Sequence, residues 1–403
     1  MNLAGKKIIL GVTGGIAAYK VADWVRQLTK LGADVTVVMT QSAAKFVTPL
    51  TFAALSGKKV YMDIFDPADA EHIPHISLAK QSDLIIIAPA TANTLAKLAN
   101  GFADDLLSTI TLAATCPVLI FPAMNSNMYL HGATQANIKL LKSLNYHVIL
   151  PESGTMACGD EGPGRLPEWP LAQDAIFSIF SQQDLKGQRL LITAGPTQEE
   201  FDPVRFISNR STGKMGFALA RAAHQRGAEV TLITGPTHLE DIAGVNTQHV
   251  SSAKEMLTAV KSHYKSASII IKSAAVSDYR PASKAKHKLK KGAKNLVYKL
   301  SANTDILKEL GEAKAANHYF LVGFAAESKN HQEEGLRKLR EKNLDMIVVN
   351  DILGKETGFA AETNKVLILD KQGNSHNLPL LSKDDTAHQI FDLIIQSINH
   401  NNH

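Results

Sequence analysis

The residues of this sequence that could do chemistry fall into two groups, one in each half. The first comprises His75 in HIPHISLA, Asn125 in PAMNSNM and Cys158 in ACGDEGPGR. An imidazole titrates near neutrality and suits a base. Gly154, Gly159, Gly162 and Gly164 surround the cysteine, the composition of a flap that closes over a substrate. Taken singly, each also has a plain structural reading: a loop histidine is usually surface, and a cysteine beside glycine is usually inert. The second group starts in LLITAGPTQEEFDPVRFISNRSTGKMGFALA and continues through a run of seven lysines between Lys284 and Lys299. Here Gly195–Thr197 reads as a phosphate loop and Ser211–Lys214 as a helix cap. Lys214 is followed by Met215, so the G-x-x-x-x-G-K-[ST] pattern of a kinase-like P-loop fails. The lysine run is either a solvated loop or a clamp on phosphate, where cations meet developing charge.

Two further segments could hold a cofactor. GVTGGIAAYK sets Gly11, Gly14 and Gly15 between a strand and a helix, and such a helix N-terminus attracts phosphate. The spacing is not G-x-G-x-x-G, and the next strand ends in Met39-Thr40-Gln41-Ser42 without the acid that holds an NAD ribose. Hydroxyls there suit a phosphate or ribityl chain, whereas the glycines alone could serve packing. APATANTLAKLANGFADDLL places Pro89 and Ala90 at a strand end and Thr91, Asn93 and Thr94 at a helix start, where they could equally be caps.

Parallel strands must carry these groups. Candidate strands are Lys7–Val12, Asp34–Met39, Leu84–Ala88, Val118–Phe121 and His147–Leu150, with helices over Ile16–Leu31, Thr91–Asn100 and Asp105–Ala114. This alternation predicts α/β architecture, a parallel sheet with helices on both faces. After the polar SQQDLKGQ a fresh strand begins at Arg189–Thr193, and AHQRGAEVTLITG repeats the pattern of LTKLGADVTVVMT. The expectation is two three-layer doubly wound domains, residues 1–184 and 185–403. A length of 403 residues agrees with two cores. The chain is 45% hydrophobic and 20% charged, an ordinary globular balance. A net charge of +5 with few aromatics near the lysines fits anionic small molecules and not nucleic acid. Two cysteines cannot build a disulfide framework, so a cytoplasmic setting is expected. No apolar run reaches membrane-spanning length, and Ile8–Val12 is too short for a signal-peptide core.

The PATANT string, His75, PAMNSNM and ACGDEGPGR together resemble the flavoprotein family of homo-oligomeric cysteine decarboxylases, over most of residues 5–170. The resemblance implies a flavodoxin-like flavoprotein fold and FMN held by Gly14, Gly15, Thr40, Thr91, Ala92, Asn93, Thr94 and Ala123. It makes His75 the base of a thiol oxidation, Asn125 the holder of the substrate carboxylate and amide, and Cys158 the donor of the final proton. Tyr129 stands where the family pattern PxMNxxMW has Trp.

The second half resembles phosphopantothenate–cysteine ligase, which many bacteria fuse behind the decarboxylase, through DPVRFISNRSTGKMG, KSAAVSDYRP, KLKK, ANTDIL, VGFAAES and RKLREKNLDMIVVND. This implies a Rossmann-like fold, with Asn209 and Arg205 at the reacting carboxylate and Lys288 on the nucleotide and transition state. CTP would be held by Ser273, Ala274, Ala275, Asp278, Lys288, Asn303, Thr304, Asp305, Ile306, Phe324, Lys338 and Lys342. Lys272, Ser273 and Thr304 depart from the family pattern. The implied reactions are a CTP-dependent, Mg2+-requiring ligation of cysteine to 4'-phosphopantothenate through an acyl-CMP, then FMN-dependent decarboxylation to 4'-phosphopantetheine. The implied assembly is homo-oligomeric, with trimers of the decarboxylase and dimers of the ligase. Two rival readings are another flavoenzyme, which explains only the first half, and a non-catalytic relative, which should have lost one of His75, Asn125 and Cys158.

Overall fold

A computed structural model describes residues 2–65, 74–157, 159–289, 297–327, 330–351 and 361–401. The chain divides into two compact units, Met1–Ile179 and Phe180–His403. The division precedes residue 184 because the residues around it are anchored in the second unit. Leu185 belongs to that unit's core, Gln183 Nε2 donates to Gln225 O at 2.9 Å, and Asp184 pairs with Arg226.

The first unit runs β1 Lys7–Val12, α1 Ala18–Lys30, β2 Asp34–Met39, α2 Pro49–Ser56, α3 Pro74–Gln81, β3 Leu84–Ala90, α4 Ala92–Ala99 and α5 Leu106–Ala113. It continues with β4 Val118–Pro122, α6 Ser126–Leu130, α7 Gly132–Ser143, β5 His147–Val148, β6 Glu152–Thr155, β7 Glu161–Arg165 and α8 Trp169–Phe180. Five parallel strands lie in the order β2-β1-β3-β4-β5, the flavodoxin-like arrangement. Ile8 stands opposite both Val35 and Leu84, which fixes the register of the centre. Every residue of β3 is buried, as a strand covered on both faces must be. Ile9, Ile85, Ile87 and Ile120 pack on one face with Leu95, Leu107 and Leu141 of α4, α5 and α7. On the other, Trp24 of α1 meets Phe121 edge-on at 5.0 Å and Trp169 of α8 at 6.1 Å. Val21, Trp24, Val25 and Leu28 form the single buried stripe that makes α1 amphipathic.

The second unit runs β8 Arg189–Ala194, β9 Gln198–Glu200, β10 Phe206–Ser208, α9 Lys214–Gln225, β11 Glu229–Thr234, β12 Asn246–His249, α10 Ala253–His263, β13 Ile269–Lys272, β14 Tyr279–Pro281 and β15 Leu300–Ala302. There follow α11 Ile306–Ala313, β16 Phe320–Glu327, α12 His331–Glu341, β17 Met346–Asp351, β18 Thr363–Asn364, β19 Val366–Asp370, β20 Ser375–Asn377, β21 Leu381–Ser382 and α13 Lys383–Asn401. Its sheet has the order β12-β11-β8-β13-β16-β17-β19-β20. The first six strands are parallel, in the dinucleotide-fold order. β19 and β20 then add antiparallel at the edge. Side chains alternate between two cores: Leu190 and Ile192 face α9 and α13, while Leu191 and Ile270 face α10 and α11.

Among the described residues no helix is long and apolar enough to cross a membrane.

Candidate active sites

In the first unit β1 and β3 are neighbours whose connections leave on opposite sides, the switch point where open α/β sheets bind ligands. A cavity of ≈ 660 Å³ lies there, walled by the turn Gly14–Ala17, Thr91 and Ala92 after β3, Ala123–Asn125 after β4, and Thr155–Ala157 with Gly164–Leu166 of the β6–β7 hairpin. Thr13 ties the two strand ends together: its Oγ1 donates to Pro89 O at 2.6 Å and accepts from Thr91 N at 3.2 Å. No side chain caps α1, so its N-terminal turn presents the positive end of the helix dipole to the cavity wall. A Cβ on Gly14 would stand 2.4 Å from Ser42 Cβ; the glycine is what lets this turn close on the loop after β2.

The structure brings Gly14, Gly15, Thr91, Ala92, Ala123 and Asn125 together on this wall. Thr40, Asn93, Thr94 and His75 do not line it. Thr94 is buried and bonded to the Thr91 cap through its N–H and its Oγ1, and Thr40 Oγ1 accepts from Ala43 N at 3.2 Å. His75 stands in the first turn of α3, its Nδ1 buried with no hydrogen-bond partner. Cys158 lies outside the described residues. Asn125 caps α6 by accepting from Asn127 N at 2.9 Å, and its Nδ2 donates to Asp160 Oδ2 at 2.7 Å. Tyr129 is buried in the core and does not line the cavity.

The glycines near position 158 do more than loosen the chain. Met124 N donates to Gly164 O at 2.9 Å and Ser126 Oγ donates to Pro163 O at 2.8 Å. A Cβ on Gly164, whose φ is +145°, would sit 2.1 Å from Met124 O. The hairpin is therefore docked at its base on the loop that carries Asn125.

In the second unit the switch point falls between β8 and β13, and a cavity of ≈ 540 Å³ opens over it. Gly195 follows β8, Lys272–Val276 and Asp278 lie at and beyond the end of β13, and Phe324–Ala326 belong to β16. Asn209–Gly216 lead into α9. α9 starts at Gly213 with φ +80° and no side-chain cap, so the expected Ser/Thr cap is absent and the helix N-terminus stands at the cavity. Among the described residues, Arg210, Lys214, Lys272, Lys338 and Lys383 line the wall with one carboxylate, Asp278. Burial pulls the Lys272 ammonium down to about 8, with Asp305 and Asp278 opposing and Lys342 assisting. Burial likewise lowers Lys383, which donates to Asn364 Oδ1 at 3.1 Å and to Ala361 O.

Ser273, Ala274, Ala275, Asp278, Asn209, Phe324 and Lys338 meet on this wall; Asn303, Thr304, Asp305, Ile306, Lys342, Lys288 and Arg205 do not. Asn209 Nδ2 donates to Ala275 O at 3.1 Å and Val276 O at 3.3 Å. Asn303 supports the same loop, donating to Ser277 O at 2.8 Å. Ile306 is part of the core beneath α11. Asp305 caps α11 and pairs with Lys342 at 2.7 Å; burial raises its carboxyl, but the bonds from Lys342 and Lys308 N outweigh this and leave it below its usual range. Arg205 is turned away, its Nη2 donating to Leu289 O at 2.7 Å.

The family profile described as "Flavoprotein" matches residues 1–181, and that described as "DNA/pantothenate metabolism flavoprotein C-terminal domain" matches residues 185–398. A Vibrio cholerae coenzyme A biosynthesis bifunctional protein CoaBC is 47% identical over 98% of both chains. Its Bacillus subtilis counterpart is 47% identical over 96% of both. The chain belongs to the family of coenzyme A biosynthesis bifunctional proteins. The crystal structure of the C-terminal domain of a CoaBC protein is 44% identical, covering 54% of this chain and 100% of that one with a TM-score of 0.47.

Sequence reasoning misses several members of both walls of this bifunctional chain. Lys20 and Arg165 line the first cavity, and both reach Glu168, at 2.6 and 3.7 Å. Lys20 sits one turn into α1, and extending the phosphate-loop pattern to i+5 would find it. Lys214 fails the P-loop pattern, although the helix it opens still starts at the cavity wall. Asn364 and Lys383 arrive from the chain's last elements, with no local signal in the sequence.

Proposed function

We propose that the first unit decarboxylates 4'-phosphopantothenoylcysteine with FMN, and that the second joins cysteine to 4'-phosphopantothenate at the expense of CTP. Family membership makes the chain an enzyme of coenzyme A biosynthesis with decarboxylase and ligase activities; the cofactor, the nucleotide and the residue roles are the proposal. Its main support is the charge of the second cavity, where the described lining residues at the open end of a helix include five cationic side chains, Lys214 of them paired with Glu362, and one carboxylate. A triphosphate and a phosphorylated acid are the ligands such a wall favours.

In the ligase, Asn209 holds the reacting carboxylate while it attacks the α-phosphorus of CTP, forming acyl-CMP and releasing pyrophosphate. The cysteine amine then displaces CMP. Lys338 and the N-terminus of α9 meet the phosphates from the wall, and Lys288 supplies a donor to the developing charge. Mg2+ would neutralise the triphosphate, and Asp278, the carboxylate among the described lining residues, would meet it.

In the decarboxylase, Gly14, Gly15, Thr91, Ala92 and Ala123 hold FMN, whose phosphate suits the uncapped turn of α1. When bound there, FMN would supply the two-electron oxidising and reducing chemistry that the loss of CO2 from a cysteine-derived carboxylate needs. Asn125 orients the substrate carboxylate, His75 acts as base, and Cys158 returns the proton. His75 does not line its own chain's cavity, so we place its work in a site completed by another copy. Exposed apolar residues such as Ile16, Tyr19 and Leu50 favour the homo-oligomer this needs, with trimers of the first unit and dimers of the second. The setting is cytoplasmic.

Purified protein should be yellow and should release pyrophosphate only when CTP, phosphopantothenate and Mg2+ are all present. A colourless preparation that reconstitutes with no flavin would sink the first assignment, and indifference to CTP the second. Cys158→Ser should still release CO2 yet leave its flavin reduced under anaerobic conditions, whereas His75→Asn should leave it oxidised.

A further inference from the structure

The residue just before Leu289 is Lys288, which is exposed and does not line the cavity. What fixes the main chain of Leu289 is a buried carboxylate 87 positions away. Asp202 lies at the tip of the β9–β10 hairpin and is fully buried. Its Oδ1 accepts from Val204 N at 2.8 Å and Arg205 N at 2.9 Å, and its Oδ2 accepts from Leu289 N at 3.1 Å. Arg205 completes the clasp, with Nη2 donating to Leu289 O at 2.7 Å and Nε 3.8 Å from Asp202 Oδ2. Both main-chain polar groups of Leu289 are thus held. A second attachment lies four residues earlier, where Ala285 N donates to Phe201 O at 2.9 Å. The same hairpin reaches the cavity at its other end. Its last strand runs into Asn209, and Ser208 Oγ donates to Thr197 O at 2.9 Å.

We propose that Asp202, together with Arg205, is a positioning residue for the ligase reaction, docking the Lys288 segment on the hairpin that carries Asn209. A buried carboxylate that accepts three main-chain N–H bonds is well satisfied, and the first of its effects is structural: it removes the freedom of a lysine-rich segment that would otherwise be solvated. Leu289 N is also the chief reason the Asp202 carboxyl is held below its usual range, outweighing burial. Arg205 on this view is no substrate contact. The inference rests on the assignment of Lys288 as a donor in the nucleotide-dependent step.

The test is a double-mutant cycle on the full-length protein, read as CTP-dependent pyrophosphate release with decarboxylation as internal control. Asp202→Asn cannot serve the hairpin turn and Leu289 N together, because one oxygen becomes a donor. Expected is a kcat about tenfold lower with KM for phosphopantothenate unchanged, and no further loss when the change is made in Lys288→Gln. Arg205→Gln, at a side chain 44% exposed and so tolerant of change, should give the same pattern should Asp202→Asn fail to fold. A rise in KM for phosphopantothenate with kcat preserved would return Arg205 to the substrate and overturn the proposal. So would full additivity of either change with Lys288→Gln. A wild-type rate for Lys288→Gln alone would instead remove the assignment of Lys288 on which the proposal stands.

Discussion

Lys272→Met should stabilise the second unit at pH 7 and lose most of that advantage by pH 10. Lys272 ends β13 in the floor of the ligase cavity, where Nζ donates to Ala274 O at 2.8 Å. Burial lowers its ammonium from 10.5 to about 8. The unfolded chain therefore keeps this proton up to about pH 10.5, while the folded chain releases it near pH 8. Below pH 8 the native state carries the charge at a cost; between about 8 and 10.5 the unfolded state holds more protons, so wild-type stability rises with pH through that window. The drop corresponds to about 3 kcal/mol at pH 7, and partial exposure to the cavity reduces this to about 1–2 kcal/mol through solvent screening. For a unit of this size that is about 3–8 °C in melting temperature, falling to about a quarter at pH 10. Calorimetry of the full chain at the two pH values, following the transition of the second unit, measures the difference between variant and wild type. An equal advantage at both pH values, or a loss at pH 7, would refute burial of the charge as the cause.

Three other outcomes are expected. Gly164→Ala forces a Cβ onto Met124 O from a positive φ, a strain of about 1–3 kcal/mol; it should undock the hairpin and cut decarboxylation at least about tenfold with pyrophosphate release intact, measured side by side. Asn209→Asp sets a carboxylate against the carbonyls of Ala275 and Val276 and against an anionic intermediate, and should slow ligation about a hundredfold without a change in melting temperature of more than a few degrees. Arg226→Met strips Asp184, Asp392 and His388 O of a guanidinium only 4% exposed; since both acids are partly solvated, the loss should be about 2–3 kcal/mol, seen as a lower urea midpoint for the second unit.

The central strands of the first sheet are readable because β1, β3 and β4 are near-continuous apolar runs, as strands buried on both faces must be. The second sheet's start is readable for the same reason. Its edge is not: β19 and β20 are short and antiparallel, and nothing local distinguishes VLILD from one more parallel strand. Gly14, Gly15, Thr91 and Ala92 can be placed in one wall from sequence because they sit at strand ends, and strand ends meet at a switch point. The bond of Thr94 to the Thr91 cap is not legible, because a threonine at N3 of a helix reads alike whether it faces a ligand or bonds to the cap. The pairing of Arg205 is hidden because its partner, Leu289, is 84 residues away. The pairing of Asn125 with Asp160 is equally hidden, since it depends on a hairpin that folds back through glycines whose sequence pattern suggests only looseness.

The order of elements along the chain decides when the second cavity can be complete. Asn364 and Lys383 add a late-made stretch of wall to the cavity that Gly195 also lines, and α13 buries Ile390, Phe391 and Ile394 in the same core as Leu190 and Phe217. A chain still emerging from the ribosome can fold its first unit and most of its second sheet before this wall exists. Nascent or C-terminally clipped molecules therefore lack a finished wall to this cavity.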